Sequence, residues 1–406
     1  MPSGFRRRLV PAMLACVAAV TITGLSAPGA LAGTAGRPNL VKGSAYLVAP
    51  ANLIGGHYYR SFGRDADFGL TIDGALALAA TGDQRQALRR IVAFLASGGK
   101  DPAGKTINSW TGIGTRFASG GAIGKEALLA EVVGANPRDF GGRNLIAALD
   151  ASVCPHAGAG GKARCPAAGS YAYASSVFDQ ALGVIAELRA GQRRQAAAPV
   201  RYLASLQHRD GSFPSLIPGA GGDVDSTAMA VMALALVPGR AAAADVSSGV
   251  AWIAGQQKPA GGFPGTGGIS VNTAGLAIQA LSLRRASYRP HLAAAERFLA
   301  REQNGDGGFR LNAGSSGGSN LRASAQAVGG AAAIPFGSLR RPLARPAAAH
   351  PGSGAGHGWI AYLIAVVLVV AITMVAGAAR LRRRRPGHHA VRAHDSQADP
   401  VGRRRQ

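Results

Sequence analysis

The chain has 406 residues, of which 47% are hydrophobic, 16% charged and 6% aromatic, with a formal net charge of +24 and three cysteines. So much apolar content excludes a disordered chain, and so few cysteines exclude a disulfide-stapled miniature scaffold. The basic balance suggests nucleic acid, but the ends of the chain carry export and membrane signals that exclude that partner.

Arg6, Arg7 and Arg8 precede an apolar stretch from Leu9 to about Leu25, and Ala30-Leu31-Ala32 follows as a small-x-small cleavage site. This layout predicts a secretory signal peptide over residues 1–32. Beyond it, apolar runs opened by a polar residue begin near Asp73, Lys125, Asp179, Asp225, Asn272 and Asn320, at intervals of 52, 54, 46, 47 and 48 residues. Amphipathic stretches alternate with them, over roughly 39–54, 84–97, 138–151, 192–207, 242–257 and 290–303. Their apolar residues recur at helical spacing, as in Leu292, Ala295, Phe298 and Leu299.

A repeat of this length signals stacked helical hairpins, because one hairpin alone cannot bury its apolar face. The pattern Gln-x3-Gly-x-Phe marks it most clearly, at Gln207-Gly211-Phe213, Gln257-Gly261-Phe263 and Gln303-Gly307-Phe309. The predicted fold is all-α: an (α/α)6 toroid of six hairpins over residues 33–336, with uncharged Ala-rich helices inside and amphipathic ones outside. The Gln residues read as structural ties between loops and helix ends.

Residues 337–358 are rich in Pro, Ala and Gly, lack periodicity, and read as a stalk. Trp359 to Ala379 is uncharged and long enough to be one C-terminal transmembrane helix. Arg380 and Arg382 to Arg385 follow as a stop-transfer cluster, so 380–406 reads as a basic cytoplasmic tail and the toroid as extracellular. The expected location is the cell membrane, single-pass, with anionic lipid headgroups facing the tail.

Only Cys154 and Cys165 remain in the mature part. They bracket a Gly/Ala-rich loop in an oxidising compartment, which favours a disulfide; a metal site with His156 is the rival reading and lacks a fourth ligand nearby.

The Gln-x3-Gly-x-Phe copies resemble the Gln-Trp motif of terpene cyclases, with Phe in place of Trp. Asp225-Ser226-Thr227-Ala228 and Asn272-Thr273-Ala274-Gly275 resemble inner helices of the prenyltransferase/squalene cyclase α/α-toroid superfamily. Within it, class II triterpene cyclases protonate a double bond with the central Asp of an Asp-x-Asp-Asp box. The resemblance places Asp225 at the acid, beside Asp223, but Ser226 stands where the box ends in Asp. The zinc set of protein prenyltransferases has no cysteine to supply it. Leu70-Thr71-Ile72, Val224-Asp225-Ser226-Thr227 and Ala325-Gln326 resemble the inner-helix starts of the cobalamin carriers, which implies that Asp225 and Gln326 contact a corrinoid. The carriers' closing β-domain has no counterpart here.

Asp73, Asp179, Asp225, Asn272 and Asn320 all stand where helix N-caps belong, which explains their type without function. Equivalent helix starts in a closed ring also gather round one mouth, where polar groups and positive dipole ends converge. Asp73, Asp223, Asp225, Asn272, Asn320 and Gln326 are therefore the expected ligand contacts, and Asp223 and Asp225 the expected catalytic pair if the chain is an enzyme. Asp65 and Asp67 precede the first inner helix and open a paired-carboxylate reading. His57-Tyr58-Tyr59 reads as a packed loop. With no catalytic set complete and few aromatics to steady a carbocation, the expected function is a membrane-anchored, cell-surface protein that binds a small molecule, a corrinoid in the first place. No metal or other cofactor is expected; a transporter or surface-protein partner is. The alternatives are a cyclase-like enzyme with Asp225 as general acid and a surface scaffold for protein partners.

Overall fold

The computed structural model describes residues 36–343, apart from Phe62, Lys162, Ala163, Pro218 and Ala220. Its helices run α1 (Leu40–Val48), α2 (Phe68–Thr81), α3 (Arg85–Ala96), α4 (Ile107–Thr111), α5 (Gly120–Val132), α6 (Leu145–Ala151), α7 (Val177–Arg189), α8 (Ala197–Ser205), α9 (Val224–Leu234), α10 (Arg240–Gly255), α11 (Val271–Leu281), α12 (Arg289–Glu302) and α13 (Leu321–Ala331). A two-stranded hairpin, β1 (Phe263–Gly265) and β2 (Gly268–Ser270), leads into α11.

Helices α2, α5, α7, α9, α11 and α13 each pack on the next, and α13 returns to α2, so the inner ring closes. Nearly every residue of α2, α9 and α11 is buried, and more than half of each of α5, α7 and α13. The outer helices bury one stripe, as in Ala87, Leu88, Ile91 and Leu95 of α3. Small residues set the spacing of the inner ring. A Cβ on Gly124 of α5 would stand 2.7 Å from Gly183 Cα of α7, and one on Gly275 of α11 would stand 2.5 Å from the Gln326 carbonyl of α13. Backbones that meet this closely pack neighbouring inner helices without a gap between them.

The Gln-x3-Gly-x-Phe copies are the joints between neighbouring hairpins. Gln207 Nε2 donates to the Gly211 carbonyl at 2.9 Å and to the Asp245 carbonyl of α10 at 2.8 Å. Gln257 Nε2 ties Gly261 at 3.0 Å to His291 of α12 at 2.9 Å. Gln303 Nε2 ties Gly307 to Asn39, the N-cap of α1, both at 2.9 Å, so the third copy joins the last hairpin to the first. The three glycines have φ of 92°, 87° and 90°, and a Cβ on them would strike the carbonyls of Ser248, Ala294 and Lys42 on the next outer helix.

The aromatic of each joint brackets a helix start. Phe213 donates its N–H to Thr227 Oγ1 at 2.9 Å and accepts from the N–H of the α9 cap, Asp223, at 2.9 Å. Phe309 does the same with Ser324 and Asn320 at 2.8 and 2.7 Å. Tyr59, with Thr71 and Asp67, is the counterpart in the first repeat. Tyr171 donates to Gln180 Oε1 in the third, and its ring lies over Gly183, where a side chain would collide with it. His57 and Tyr58 stack on Phe94, the packed loop expected of them.

Four expectations are corrected. Most inner helices start earlier than their apolar runs suggest: the caps are Asp67, Ser119, Ser176, Asp223 and Ser270, and only Asn320 among the expected starts is one. Asp73 sits in the second turn of α2, because Gly69-Leu70-Thr71-Ile72 is already helical. The inner helices are also not uncharged: α5 and α7 bury Glu126 and Glu187 at 0% exposure. The short α4, opened by a Thr106–Ser109 capping box, has no counterpart in the repeat read from the sequence. Residues 337–343, expected to begin the stalk, pack on the ring, and the compact unit runs to Leu343.

Cys154 and Cys165 form a disulfide across 11 residues, so neither sulfur is free for a metal. Closing a loop of that size stabilises the fold by about 2–3 kcal/mol in the chain-entropy model. Among the described residues, no helix is long and apolar enough to cross a membrane. The expected signal peptide, transmembrane helix and tail lie outside the described residues.

Candidate active site at the inner-helix starts

Inner helices that all run the same way place their N-termini on one face of the ring. Two polar clusters form there. The first spans α2, α5, α7 and α13. Lys125 Nζ lies 2.7 Å from Asp73 Oδ1, and Arg322 reaches Asp73 Oδ2 at 3.8 Å and Asp67 Oδ2 at 2.8 Å. Gly69 makes room for it, with Asp67, Trp110 and Lys125 within 4 Å of the place a Cβ would occupy. Asp67 caps α2 through the Leu70 N–H at 2.8 Å and accepts from Ser61. Burial opposes its charge, but these bonds and the Arg322 charge prevail and hold it below the ordinary carboxylate range. Asp179 on α7 goes the other way. Burial pushes it up, and neither Ser176 nor the nearby Lys125 charge restores it.

The second cluster joins α9 and α11. Asp223 caps α9, accepting from the Ser226 N–H at 2.8 Å. Asp225, two residues on, is pushed up to about 6 by burial first and the Asp223 charge second, with the Thr273 hydroxyl of α11 working in the other direction. Asp225 Oδ1 and Thr273 Oγ1, both buried, close no hydrogen bond, and the side-chain Oδ1 of Asn272, the residue before Thr273, is equally unpartnered. A carboxylic acid that stays protonated to near neutrality, with an open oxygen and a like charge beside it, is equipped to give up a proton.

Of the expected contacts, Asp73 therefore falls in the first cluster, and Asp223, Asp225 and Asn272 in the second. Asn320 is occupied as the cap of α13, accepting from the Ala323 N–H at 2.9 Å. Gln326 lines a cavity of about 20 Å³ between α2, α11 and α13, with Asp73 towards the helix starts and Phe336 towards the helix ends. This is room for about one water. Asp65 pairs with Lys105 on the rim and shares no site with Asp223. The sequence reading missed Lys125, Arg322 and Thr273; a charged residue in an otherwise apolar inner helix was the signal for the first two.

Buried carboxyls set the pH response of the fold. Burial pushes Glu126 and Glu187 up to about 8, Glu187 with a smaller push from Asp150. All three groups have folded values above their unfolded ones, so the stability tied to their protonated forms is complete below about pH 4. It is lost as pH rises, through about 6 for Asp225 and about 8 for the two glutamates. The urea midpoint is expected to fall from pH 4 to 9, and Glu126→Gln to flatten the upper part of that fall; a midpoint rising over the range contradicts this placement of the carboxyls.

Residues 143–327 match the family model of the prenyltransferase alpha-alpha toroid domain. A 181-residue stretch is 32% identical to drimenyl diphosphate synthase of Streptomyces showdoensis, covering 41% of this chain and 33% of that enzyme, so the chain spans about a third of that relative. Among solved structures, the type II terpene cyclase MstE of Scytonema superposes with a TM-score of 0.52 at 17% identity, over 72% of this chain and 96% of that one. A protein from Actinoplanes superposes with a TM-score of 0.53 at 18% identity, over 73% and 98%. At such identities the structures establish fold alone. The expectation of a corrinoid-binding surface protein is corrected by these matches: the curated relative is a terpene cyclase, and so is MstE. Residues 143–327 thus carry the match to the prenyltransferase alpha-alpha toroid domain, and the described residues share the toroid fold of MstE.

Proposed function

We propose that the protein is a terpene cyclase-like enzyme that starts cyclisation of an isoprenoid chain by protonation, with Asp225 as general acid. The observation that carries this reading is Asp225 itself: half-buried, raised to about 6, with a buried Oδ1 that has no partner, and at the position in Asp223-Val224-Asp225 that the resemblance gives to the acid. The carboxyl O–H would add its proton to a terminal carbon–carbon double bond, leaving a tertiary cation and the Asp225 carboxylate. Attack by the next double bond closes a ring, and loss of a proton to Asp225 or water restores neutrality. Asp223 would keep the acid protonated until the alkene arrives, since a second negative charge beside it is costly.

The names of the relatives support an isoprenoid substrate. One relative is a drimenyl diphosphate synthase, and MstE was captured with geranylgeranyl dihydroxybenzoate as its substrate. The proposal also keeps the membrane anchor read from Trp359 to Ala379, which would hold the toroid beside a reservoir of lipid-soluble chains. The test is incubation of the full-length protein with farnesol, farnesyl diphosphate and geranylgeranyl diphosphate, with products analysed by mass spectrometry. A cyclic isomer of any one supports the reading. The close packing of α11 on α13 favours a second reading, a surface scaffold for protein partners, and the absence of any cyclic product would move the account to it.

A further inference from the structure

The segment after α13 lies across the end of the ring opposite the helix starts. Ile334 accepts from Gln279 Nε2 of α11 at 2.8 Å, and Ala333 from Arg285 at 3.0 Å. Arg189, the last residue of α7, donates to the carbonyls of Phe336 and Gly337 at 2.8 Å and of Leu339 at 2.9 Å. Its Nε pairs with Glu131 of α5 at 3.1 Å, and the two side chains are only 2% and 8% exposed. Arg341 Nε donates to the Ala79 carbonyl of α2 at 2.9 Å, and the Arg341 and Leu343 N–H groups to Val132 and Val133 at 2.7 and 2.9 Å. Leu236, just past α9, lies against Gly337. The segment thus reaches five of the six inner helices.

Phe336 ends the cavity, whose lining mixes apolar residues of α2 and α13, Leu76, Ala77 and Ala80 among them, with the polar Asp73, Gln279 and Gln326. The apolar side of this wall suits an alkyl chain, and the one aromatic ring in the lining comes from the segment itself. The grip on the segment is mostly polar: the Arg189 fork, Gln279 and Arg341 hold carbonyls, and a buried ion pair holds the fork. A buried ion pair adds little stability over apolar packing, and registry or switching is its best-attested use.

We propose that Ala333–Leu343 is an autoinhibitory strap: Phe336 occupies the place of an apolar ligand chain, and release of the strap opens the lumen to that chain. The inference rests on the lumen being a ligand site, as in the proposed function, but not on the reaction. It accounts for the small size of the cavity between α2, α11 and α13, about 20 Å³.

The test uses full-length protein in detergent micelles with all-trans-farnesol as the probe. Phe336→Ala removes the ring and keeps every strap hydrogen bond, and Arg189→Ala removes the fork. Phe336→Ala is expected to bind farnesol at least 10-fold more tightly than wild type. Arg189→Ala is expected to show the same gain, together with at least 10-fold faster amide exchange over residues 336–343 and faster tryptic cleavage after Arg340. Should Arg189→Ala fail to fold, because Glu131 is left unpaired, Phe336→Ala decides alone. Unchanged or weaker farnesol binding by folded Phe336→Ala overturns the strap. Both variants are repeated with Asp225→Asn, which needs no catalysis: a binding gain that survives there without any cyclic product in the parent retains the strap and rejects the cyclase.

Discussion

Asp225→Asn is expected to lower the rate of cyclisation by about 10²–10⁴-fold, the range a positioned general acid contributes, while the toroid stays folded. Asparagine has the same shape and cannot supply the proton. It also cannot ionise, so the variant should lose the decline in stability that Asp225 imposes as pH rises through about 6. Activity of the wild type should fall over the same window, since only the protonated acid works. Asp223→Asn separates the two roles of the pair. Asparagine caps a helix as well as aspartate does, so α9 keeps its start, but the neighbouring charge is gone. Because that charge helps hold the Asp225 pKa up, its removal should move the activity midpoint to lower pH. Equal midpoints in wild type and Asp223→Asn would show that the two carboxyls are not coupled.

The largest expected effect on stability lies far from this pair. Gly307→Ala should destabilise the ring by roughly 2–4 kcal/mol, combining backbone strain with overpacking. Its φ is 90°, and the new Cβ would run into the Lys42 carbonyl of α1. The joint is special because Gln303 and Gly307 fasten the last hairpin to the first, so it is the seam of a closed ring. Thermal unfolding by circular dichroism checks it. Gly305→Ala is the control, since nothing lies within 4 Å of the place its methyl would occupy, and it should leave the midpoint nearly unchanged. If both variants melt alike, the seam is not what holds the ring.

The same joint shows what the sequence made legible. Gln-x3-Gly-x-Phe recurs because each of its residues makes a contact that the next hairpin repeats: a carbonyl-bridging amide, a left-handed turn against a neighbouring helix, and a buried ring whose backbone brackets a helix start. Those demands are local and periodic, so they survive in the pattern. In the first and third repeats Tyr59 and Tyr171 meet the same demand in different settings, and the pattern fades. Helix starts were harder to read. Asp73 opens an apolar run, but the helix has already begun at Phe68, because a polar side chain in the second turn can be satisfied by Lys125 across the ring. Such a pairing joins successive repeats, and the 52-residue interval between the two residues marks the repeat without showing where either helix begins.

The strap was hidden for a related reason. Its Pro, Gly and Arg composition is that of a stalk, and its hold on the ring uses backbone carbonyls, which every sequence possesses. Asp225, by contrast, was legible as a candidate acid from Asp223-Val224-Asp225 alone, while the burial that raises it was not. Burial depends on how closely α9 and α11 approach, and that is set by residues outside the motif.

Cyclisation in D2O tests the central claim most directly. If Asp225 starts the reaction by giving a solvent-exchanged proton to the terminal double bond, the cyclic product must carry one deuterium on the carbon that was protonated, and Asp225→Asn must make that product at least about 100-fold more slowly. A cyclic product without deuterium, or deuterated product formed as fast by Asp225→Asn, would contradict the account.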